Sequence, residues 1–250
     1  MKIAIIGYGA MGHLIEDVAK ERGIEVVSII DPQAEGATHK EVSEESVKEA
    51  DVCIDFTIPQ VAVENIKKIS ASGKNIVMAT TGWYDQMDDV KKIVEESDNG
   101  FIWSGNFSIG VNMFFRMVKA AAKVANKVEE YDIASYELHH NRKADSPSGT
   151  ANMIGNILVD NIDRKSKLVF DKLDRKIEAD ELHISSVRGG DIPGTHTILF
   201  DSTADTIELK HTARTRKGFA LGAVMAAEFI NEKKGWFEID DLMDNVIGGQ

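Results

Sequence analysis

Residues 137–151 read ELHHNRKADSPSGTA and set His139, His140, Arg142 and Lys143 within five positions of one another. Paired histidines can give or take a proton near neutral pH. A lysine beside a helix start can hold a small anion, because the first turn's backbone N–H groups lack intrahelical partners. The sequence marks such a start: Ser146 suits the N-cap and Pro147 the first helical position, with Met153, Ile154, Ile157 and Leu158 carrying the helical period. Ser148, Gly149 and Thr150 then fall in the first turn, where Gly149 brings no side chain to obstruct a ligand. With Lys143 they form a candidate carboxylate cradle. A solvated basic turn before an ordinary capped helix stays open as the alternative on these residues alone. No metal is expected: His139 and His140 are neighbours pointing to opposite sides of a strand end. No further His, Cys or carboxylate set supports them, and His196 and His211 read as structural polar residues.

A second chemistry-bearing run stands at the N-terminus. Gly7-Tyr8-Gly9-Ala10-Met11-Gly12 fits G-x-G-x-x-G, follows the apolar run 2–7 and opens a helix whose one face carries Met11, Leu14, Ile15, Val18 and Ala19. Asp31 lies at the end of the next strand, 25–30. That context is the one a dinucleotide requires, with the pyrophosphate against the helix N-terminus and Asp31 beside the adenosine ribose. A carboxylate there repels a 2′-phosphate, and no Arg or Lys follows in Asp31-Pro32-Gln33. The reading therefore leans mildly to NADH over NADPH, with Lys40 as a loop cation able to meet a phosphate. Three further loops, FTIP (56–59), ATTGW (79–83) and SGNFS (104–108), end strands of the same sheet, at the edge where ligands bind open α/β sheets.

The elements that must position these residues fall into two groups. Strands near 2–7, 25–30, 50–56, 75–80 and 101–105 alternate with helices near 59–72 and 88–96, which implies βαβ units and a parallel sheet covered on both faces. After a long helix near 109–127 the texture changes to successive strands at 132–138, LHISSV, THTILF and TIELKHT, an antiparallel or mixed sheet. The expected organisation is α/β: a dinucleotide-binding domain of residues 1–107 and 217–250, and a second α+β domain of residues 108–216. The chain has 41 acidic against 29 basic residues and a formal charge of −12, which argues against a nucleic-acid surface but not against a local anion pocket. No apolar run approaches the roughly 20 residues of a membrane span. The single cysteine, Cys53, excludes an internal disulfide and reads as a packed core thiol. A cytoplasmic protein is expected.

The segments GYGAMG, DFTIP, ATTGW, SGNFSIGVN, ELHHNRKADSPSGTA, SVRGGDIPGTHT and IELKHTARTRKGFALGAV span almost the whole chain. In that order they resemble the 4-hydroxy-tetrahydrodipicolinate reductase (dihydrodipicolinate reductase) family. The most specific of them fits E-x-H-H-x-x-K-x-D-x-P-S-G-T-A. The resemblance implies a Rossmann-type dinucleotide-binding domain, a mixed-sheet domain for substrate binding and oligomerisation, and a homotetramer. It implies an NAD(P)H-dependent oxidoreductase of diaminopimelate and lysine biosynthesis that reduces a small cyclic dicarboxylate, 4-hydroxy-tetrahydrodipicolinate, to tetrahydrodipicolinate. By matching position, His139 would be the catalytic acid/base and Lys143 its assistant and carboxylate partner. His140, Ser148, Gly149 and Thr150 would contact the substrate. Gly7, Tyr8, Gly9, Ala10, Met11, Gly12, Asp31, Ala79, Thr80, Thr81, Ser104, Gly105, Asn106 and Phe107 would line the cofactor. Thr195 departs from the pattern, where GEH is common.

Overall fold

Ile3, Ala4, Ile5 and Ile6 are all shielded from solvent, and that fixes the kind of sheet they stand in. In β1 (Lys2–Ile6), Ile3 and Ile5 enter one core while Ala4 and Ile6 enter another. A strand buried on both faces needs helices on both sides, the habit of parallel sheets. The computed structural model, which describes residues 1–170 and 172–248, supplies them. Six strands are parallel: β1, β2 (Glu25–Ile30), β3 (Val52–Asp55), β4 (Asn75–Met78), β5 (Gly100–Trp103) and β11 (Gly235–Glu238), in the order 2-1-3-4-5-11. One face is covered by α1 (Ala10–Glu21), α7 (Lys217–Ile230) and α8 (Ile239–Gly248), the other by α2 (Glu44–Val47), α3 (Pro59–Ala71) and α4 (Met87–Ser97). This is a Rossmann-type layer whose strand order reverses between β1 and β3. Cys53 is buried in it, and burial pushes its thiol up to about 12, so it behaves as core.

These elements form one compact unit, Met1–Ile109 with the stretch from Arg216 onward; Gly110–Thr215 forms a second. The second unit's sheet has the order β10-β9-β6-β8-β7, comprising β6 (Asp132–His139), β7 (Lys167–Val169), β8 (Glu181–Arg188), β9 (Thr195–Asp201) and β10 (Thr206–Thr212). It is mixed: β9 runs antiparallel to β6 and β10, while β8 runs parallel to β6 and β7. Apolar residues of α5 (Ile109–Ala125) and α6 (Gly149–Asn161) meet Ile133, Leu182, Ile184, Ile198 and Phe200 in a third core. No described helix is long and apolar enough to cross a membrane.

The start of α6 differs from expectation. The N-cap is Ser148, whose Oγ accepts the Ala151 N–H at 3.1 Å; Ser146 and Pro147 precede the helix, joined by a cis bond. Both serines of S-P-S have the side chain for the cap. Ser148 takes the position because its N–H and hydroxyl also reach the buried carboxylate of Glu137. Ser148 is thus the cap itself, and Gly149 and Thr150 open the first turn.

The strand β11 was not legible as a strand, and a tertiary contact defines it. Asn75, at the start of β4, donates to the carbonyls of Ile230 (2.6 Å) and Lys233 (3.2 Å) and accepts the Gly100 N–H at 2.7 Å. It ties the end of α7 and the chain entering β11 to β5. Asn75→Ala removes three hydrogen bonds at a part-buried point. Urea denaturation should show a loss of about 2–4 kcal/mol, since stranded backbone groups cost about 1–3 kcal/mol each; a loss below about 0.5 kcal/mol would remove Asn75 from this role.

Candidate active site and dinucleotide cleft

The first unit's cleft is built on the turn after β1. Gly7 has φ +86°, and a Cβ there would lie 2.4 Å from the carbonyl oxygen of Phe56, so no other residue fits. Gly9 is the N-cap of α1 and makes no side-chain cap, which leaves the first-turn N–H groups facing outward past Ala10 and Met11. Gly12 is buried; a Cβ there would meet the Gly7 carbonyl at 2.5 Å, so it lets α1 lie close on the loop. The Tyr8 ring stacks on His13 with 4.1 Å between centroids, and its hydroxyl bonds Glu16. Burial and that carboxylate push the phenol up to about 12.

Asp31 holds the loop from the other side. Its carboxylate accepts the N–H groups of Tyr8, Gln33 and Ala34, each at 2.8 Å. Burial opposes ionisation, yet these N–H groups and Lys40 keep its carboxyl below the usual range. A cavity of about 540 Å³ opens here, lined by Gly7, Gly9, Asp31, Lys40, Thr57 and Lys68 among others. A tight turn that only glycine fits at Gly7, an uncapped helix start at Gly9 and a carboxylate at the next strand end, all lining one cavity, fit a dinucleotide.

The other candidate cofactor residues divide. Thr81 and Gly105 are exposed, Ala79 and Asn106 half-buried, and Ser104 is buried with its hydroxyl on the Asn106 backbone (3.0 Å). Thr80 and Phe107 depart from expectation. The Thr80 hydroxyl donates to Asp55 at 2.7 Å, and the Phe107 ring is 2% exposed within the core, so neither side chain is free to line a ligand. Asp55, which sequence reasoning passed over, anchors two of the loops. It also accepts the N–H (3.0 Å) and hydroxyl (2.7 Å) of Thr57 and the amide of Asn65 (2.8 Å). Burial nevertheless pushes its carboxyl up.

In the second unit the helix-covered sheet face is apolar at one end and ionisable at the other. On β6, Ile133 and Ser135 give way to Glu137 and His139; on β9, Phe200 and Ile198 give way to His196. Glu137, fully buried, is the centre. Its Oε1 accepts from the Ser148 N–H (3.0 Å), the Ser186 hydroxyl (2.8 Å) and Arg188 Nη2 (2.9 Å), while Oε2 takes the Ser148 hydroxyl. Burial alone would raise its pKa; these donors outweigh burial and bring it down to about 2. Oε2 also faces His139 Nδ1 at 3.3 Å and His196 Nδ1 at 3.8 Å. The two rings stand edge to face, 5.3 Å apart.

This cluster corrects three expectations. Glu137, His139 and His196 bring their ligating atoms within 4.8 Å, so a His/carboxylate set does exist, and His196 is part of the site. A divalent cation is a poor occupant, because the Arg188 guanidinium already holds the carboxylate and the Ser148 hydroxyl sits on Oε2. Ser148 is 2% exposed and engaged with Glu137 and Ala151, so its side chain has no donor left for a substrate. The basic cluster is also less bare than its spacing suggests: Arg142 pairs with Asp191 (2.7 Å) and Lys143 with Asp145 (2.8 Å). Gly149 is exposed and Thr150 and His140 are half-buried beside Lys143 in sequence. The lost signal was register: Glu137 pairs directly with His196 across β6 and β9, and no local spacing reveals that.

Burial pushes the His139 and His196 pKa values down, His196 to about 4, with Glu137 opposing the shift in both. For His196 the unfolded chain, near 6.5, binds the proton more readily than the folded protein between pH 6.5 and 4. Stability is therefore lost as pH falls through that window, by up to about 3 kcal/mol. The melting temperature should drop between pH 6.5 and 4, and less steeply in His196→Gln; equal slopes in both proteins would contradict the assignment.

Comparison with known proteins places the whole chain. Family models of the N-terminal and C-terminal parts of dihydrodipicolinate reductase match residues 1–107 and 110–243. The 4-hydroxy-tetrahydrodipicolinate reductase of Christiangramia forsetii is 38% identical over 247 residues, 99% of each chain. That of Staphylococcus haemolyticus is 36% identical over 97% of this chain and 100% of its own. A dipicolinate-bound dihydrodipicolinate reductase from Paenisporosarcina sp. TG-14 superposes with a TM-score of 0.78 at 22% identity, covering 96% of this chain and 98% of that one. The chain belongs to the dihydrodipicolinate reductase family.

Proposed function

We propose that the protein reduces 4-hydroxy-tetrahydrodipicolinate, or its dehydrated form, to tetrahydrodipicolinate with NADH or NADPH, in the cytoplasm as a step toward diaminopimelate and lysine. The observation that carries this reading is one end of one sheet: a buried carboxylate–histidine pair, Glu137 and His139, followed by Lys143 and by the open first turn of α6. A cyclic dicarboxylate with a carbon–nitrogen double bond needs an anion cradle and a proton donor, and those are the groups present.

When bound, the reduced nicotinamide supplies a hydride to the conjugated ring carbon. The N–H groups of Gly149 and Thr150, the Thr150 hydroxyl and Lys143 hold a substrate carboxylate, and His140 adds a contact. With water lost from the hydroxylated ring and the hydride added, an enamine remains. His139 in its protonated form gives a proton to the enamine β-carbon, next to the carbon that took the hydride. This restores the carbon–nitrogen double bond and completes addition of two electrons and two hydrogens. Gly7, Gly9 and the first turn of α1 take the pyrophosphate; Asp31 takes the adenosine ribose. NADH is the preferred cofactor because Asp31 stays charged, and NADPH is accepted because Lys40 and Lys68 line the same cavity. The working assembly is a homotetramer. The second sheet's other face, with Ala134, Tyr136, Leu138, Val187 and Leu199 at least partly exposed, supports self-association.

The direct test generates the substrate in place from pyruvate, aspartate semialdehyde and the upstream synthase, and follows nicotinamide oxidation by absorbance. Synthase-dependent oxidation is expected, and none from folded protein that binds NADH would sink the reading. Lys143→Ala should raise KM and lower kcat together, each about tenfold or more, whereas His139→Gln should chiefly lower kcat, by about 10²–10⁴. Asp31→Ser should raise the NADPH/NADH ratio of kcat/KM about tenfold, by removing one like charge near the 2′-phosphate; an unchanged ratio would show that Asp31 does not set the preference.

A further inference from the structure

The Glu137 carboxylate lies between the acid and the cradle and touches neither reacting atom. Its two oxygens divide the work. Oε1 gathers Ser148 N–H, Ser186 and Arg188, fixing the N-cap of α6 and, through the Arg188 bond to the Asp145 carbonyl (2.6 Å), the loop that carries Lys143. Oε2 is turned to the histidines. His139 Nδ1 is buried without a hydrogen bond of good angle, and Oε2, at 3.3 Å, is the polar atom recorded beside it. A bare nitrogen lone pair there would face a carboxylate charge, which is repulsive; an N–H is attracted.

The opposite side of the ring tells the same story. Gly194, at φ +148°, lies beside His139 Nε2: a Cβ at that position would stand 3.1 Å from it. The backbone conformation calls for glycine there, and the missing Cβ spares the Nε2 edge a close carbon contact.

We propose that Glu137 is a positioning residue that holds His139 with Nδ1–H toward its carboxylate and presents Nε2 as the atom that delivers the proton, while the same carboxylate locks Ser148 and the substrate-binding turn of α6. This rests on the reading of His139 as the proton donor. The doubly protonated ring loses its Nε2 proton to the substrate carbon, is left as the neutral Nδ1–H form that Oε2 favours, and regains a proton at Nε2 from solvent. Glu137 remains ionised throughout. His196, with Nδ1 3.8 Å from the same Oε2, packs edge-on against the ring and keeps it from turning.

The charge of Glu137 should also set where the acid titrates. The groups facing His139 are Glu137 on its own strand, Lys143 and Asp145 on the following loop, Arg188 on β8 and His196 on β9, with His211 on β10 beyond it. Glu137 and Asp145 favour the protonated ring; Lys143, Arg188 and burial disfavour it. Activity that needs protonated His139 declines as pH rises through its pKa. Removing the Glu137 charge lowers that pKa and moves the decline to lower pH.

The experiment combines two readouts. Nitrogen-15 NMR of the histidine rings in the wild-type protein, without substrate, should show neutral His139 as the Nδ1–H tautomer; the Nε2–H tautomer would overturn the proposal. Glu137→Gln, which keeps the shape and loses the charge, should lower kcat between about tenfold and 10⁴-fold, the range spanned by partners that orient histidines elsewhere. It should leave KM within a few-fold and move the descending limb of the kcat profile down by about one pH unit or more. Ser186→Ala, which removes one hydrogen bond and no charge, should leave that limb where it is. A uniform loss in Glu137→Gln with an unmoved profile would make Glu137 structural only. Should wild-type protein fail to turn over, the reductase reading falls, and the tautomer still decides whether Glu137 orients the ring.

Discussion

A carboxylate with no access to water must either give up its charge or be surrounded by donors, and the second unit is arranged around one that keeps its charge. Glu137 gathers a backbone N–H, two hydroxyls and a guanidinium, drawn from the cap of α6 and from β8. Each partner is thereby fixed to the same few ångströms: the cap of α6, the strand end carrying Arg188, and the imidazoles of His139 and His196. Removing any one leaves part of a buried charge uncompensated, so the chemistry-bearing groups cannot drift independently.

The first unit contains a useful contrast. Asp55 is likewise shielded from solvent and accepts as many hydrogen bonds, from Thr57, Thr80 and Asn65, yet its carboxyl is pushed up where that of Glu137 is brought down to about 2. At Asp55, set deeper among surrounding atoms, desolvation outweighs the donors; at Glu137 the bonds from Ser148 and Ser186, with Arg188 at 2.9 Å, outweigh it. Hydrogen-bond number alone does not decide ionisation in a buried site; the desolvation those bonds must outweigh counts as well. Asp55 accordingly acts as a knot between the loops after β3 and β4, whereas Glu137 supplies a field.

What the sequence reveals follows from how local the physics is. The strand β2, the helix α3 and the glycine turn after β1 depend on runs, periods and φ preferences within a few residues, and their reading agrees with the structure to within a residue or two. Asp31 is legible for the same reason, being one strand removed from the turn it closes on. The pairing of Glu137 with His196 spans β6 and β9 with α6 and two strands between them in sequence; only the antiparallel register unites them. The choice between Ser146 and Ser148 as cap is likewise undecidable within S-P-S, because the deciding partner is Glu137. Two short strands fail for a related reason: β7 and β11, of three and four residues, lack the buried apolar run that marks the equally short β3 and β4, and β11 is defined by tertiary bonds such as those of Asn75.

The basic run that first drew attention also changes meaning once its partners are visible. Arg142 and Lys143 are each met by a carboxylate, Asp191 and Asp145, so the site does not confront an arriving anion with two bare cations. The donors offered beside the cap are dipolar: the N–H groups of Gly149 and Thr150 at the start of a thirteen-residue helix, ahead of the Ala151 N–H that Ser148 takes. Fixed dipoles of this kind are oriented before the ligand arrives and need no reorganisation when it binds. Their orientation is only as good as the cap that sets the helix start, and the cap is the residue Glu137 holds. In a chain of net charge −12, the proposed anion recognition therefore traces back to a buried negative charge, which binds no anion itself but fixes the donors offered to one.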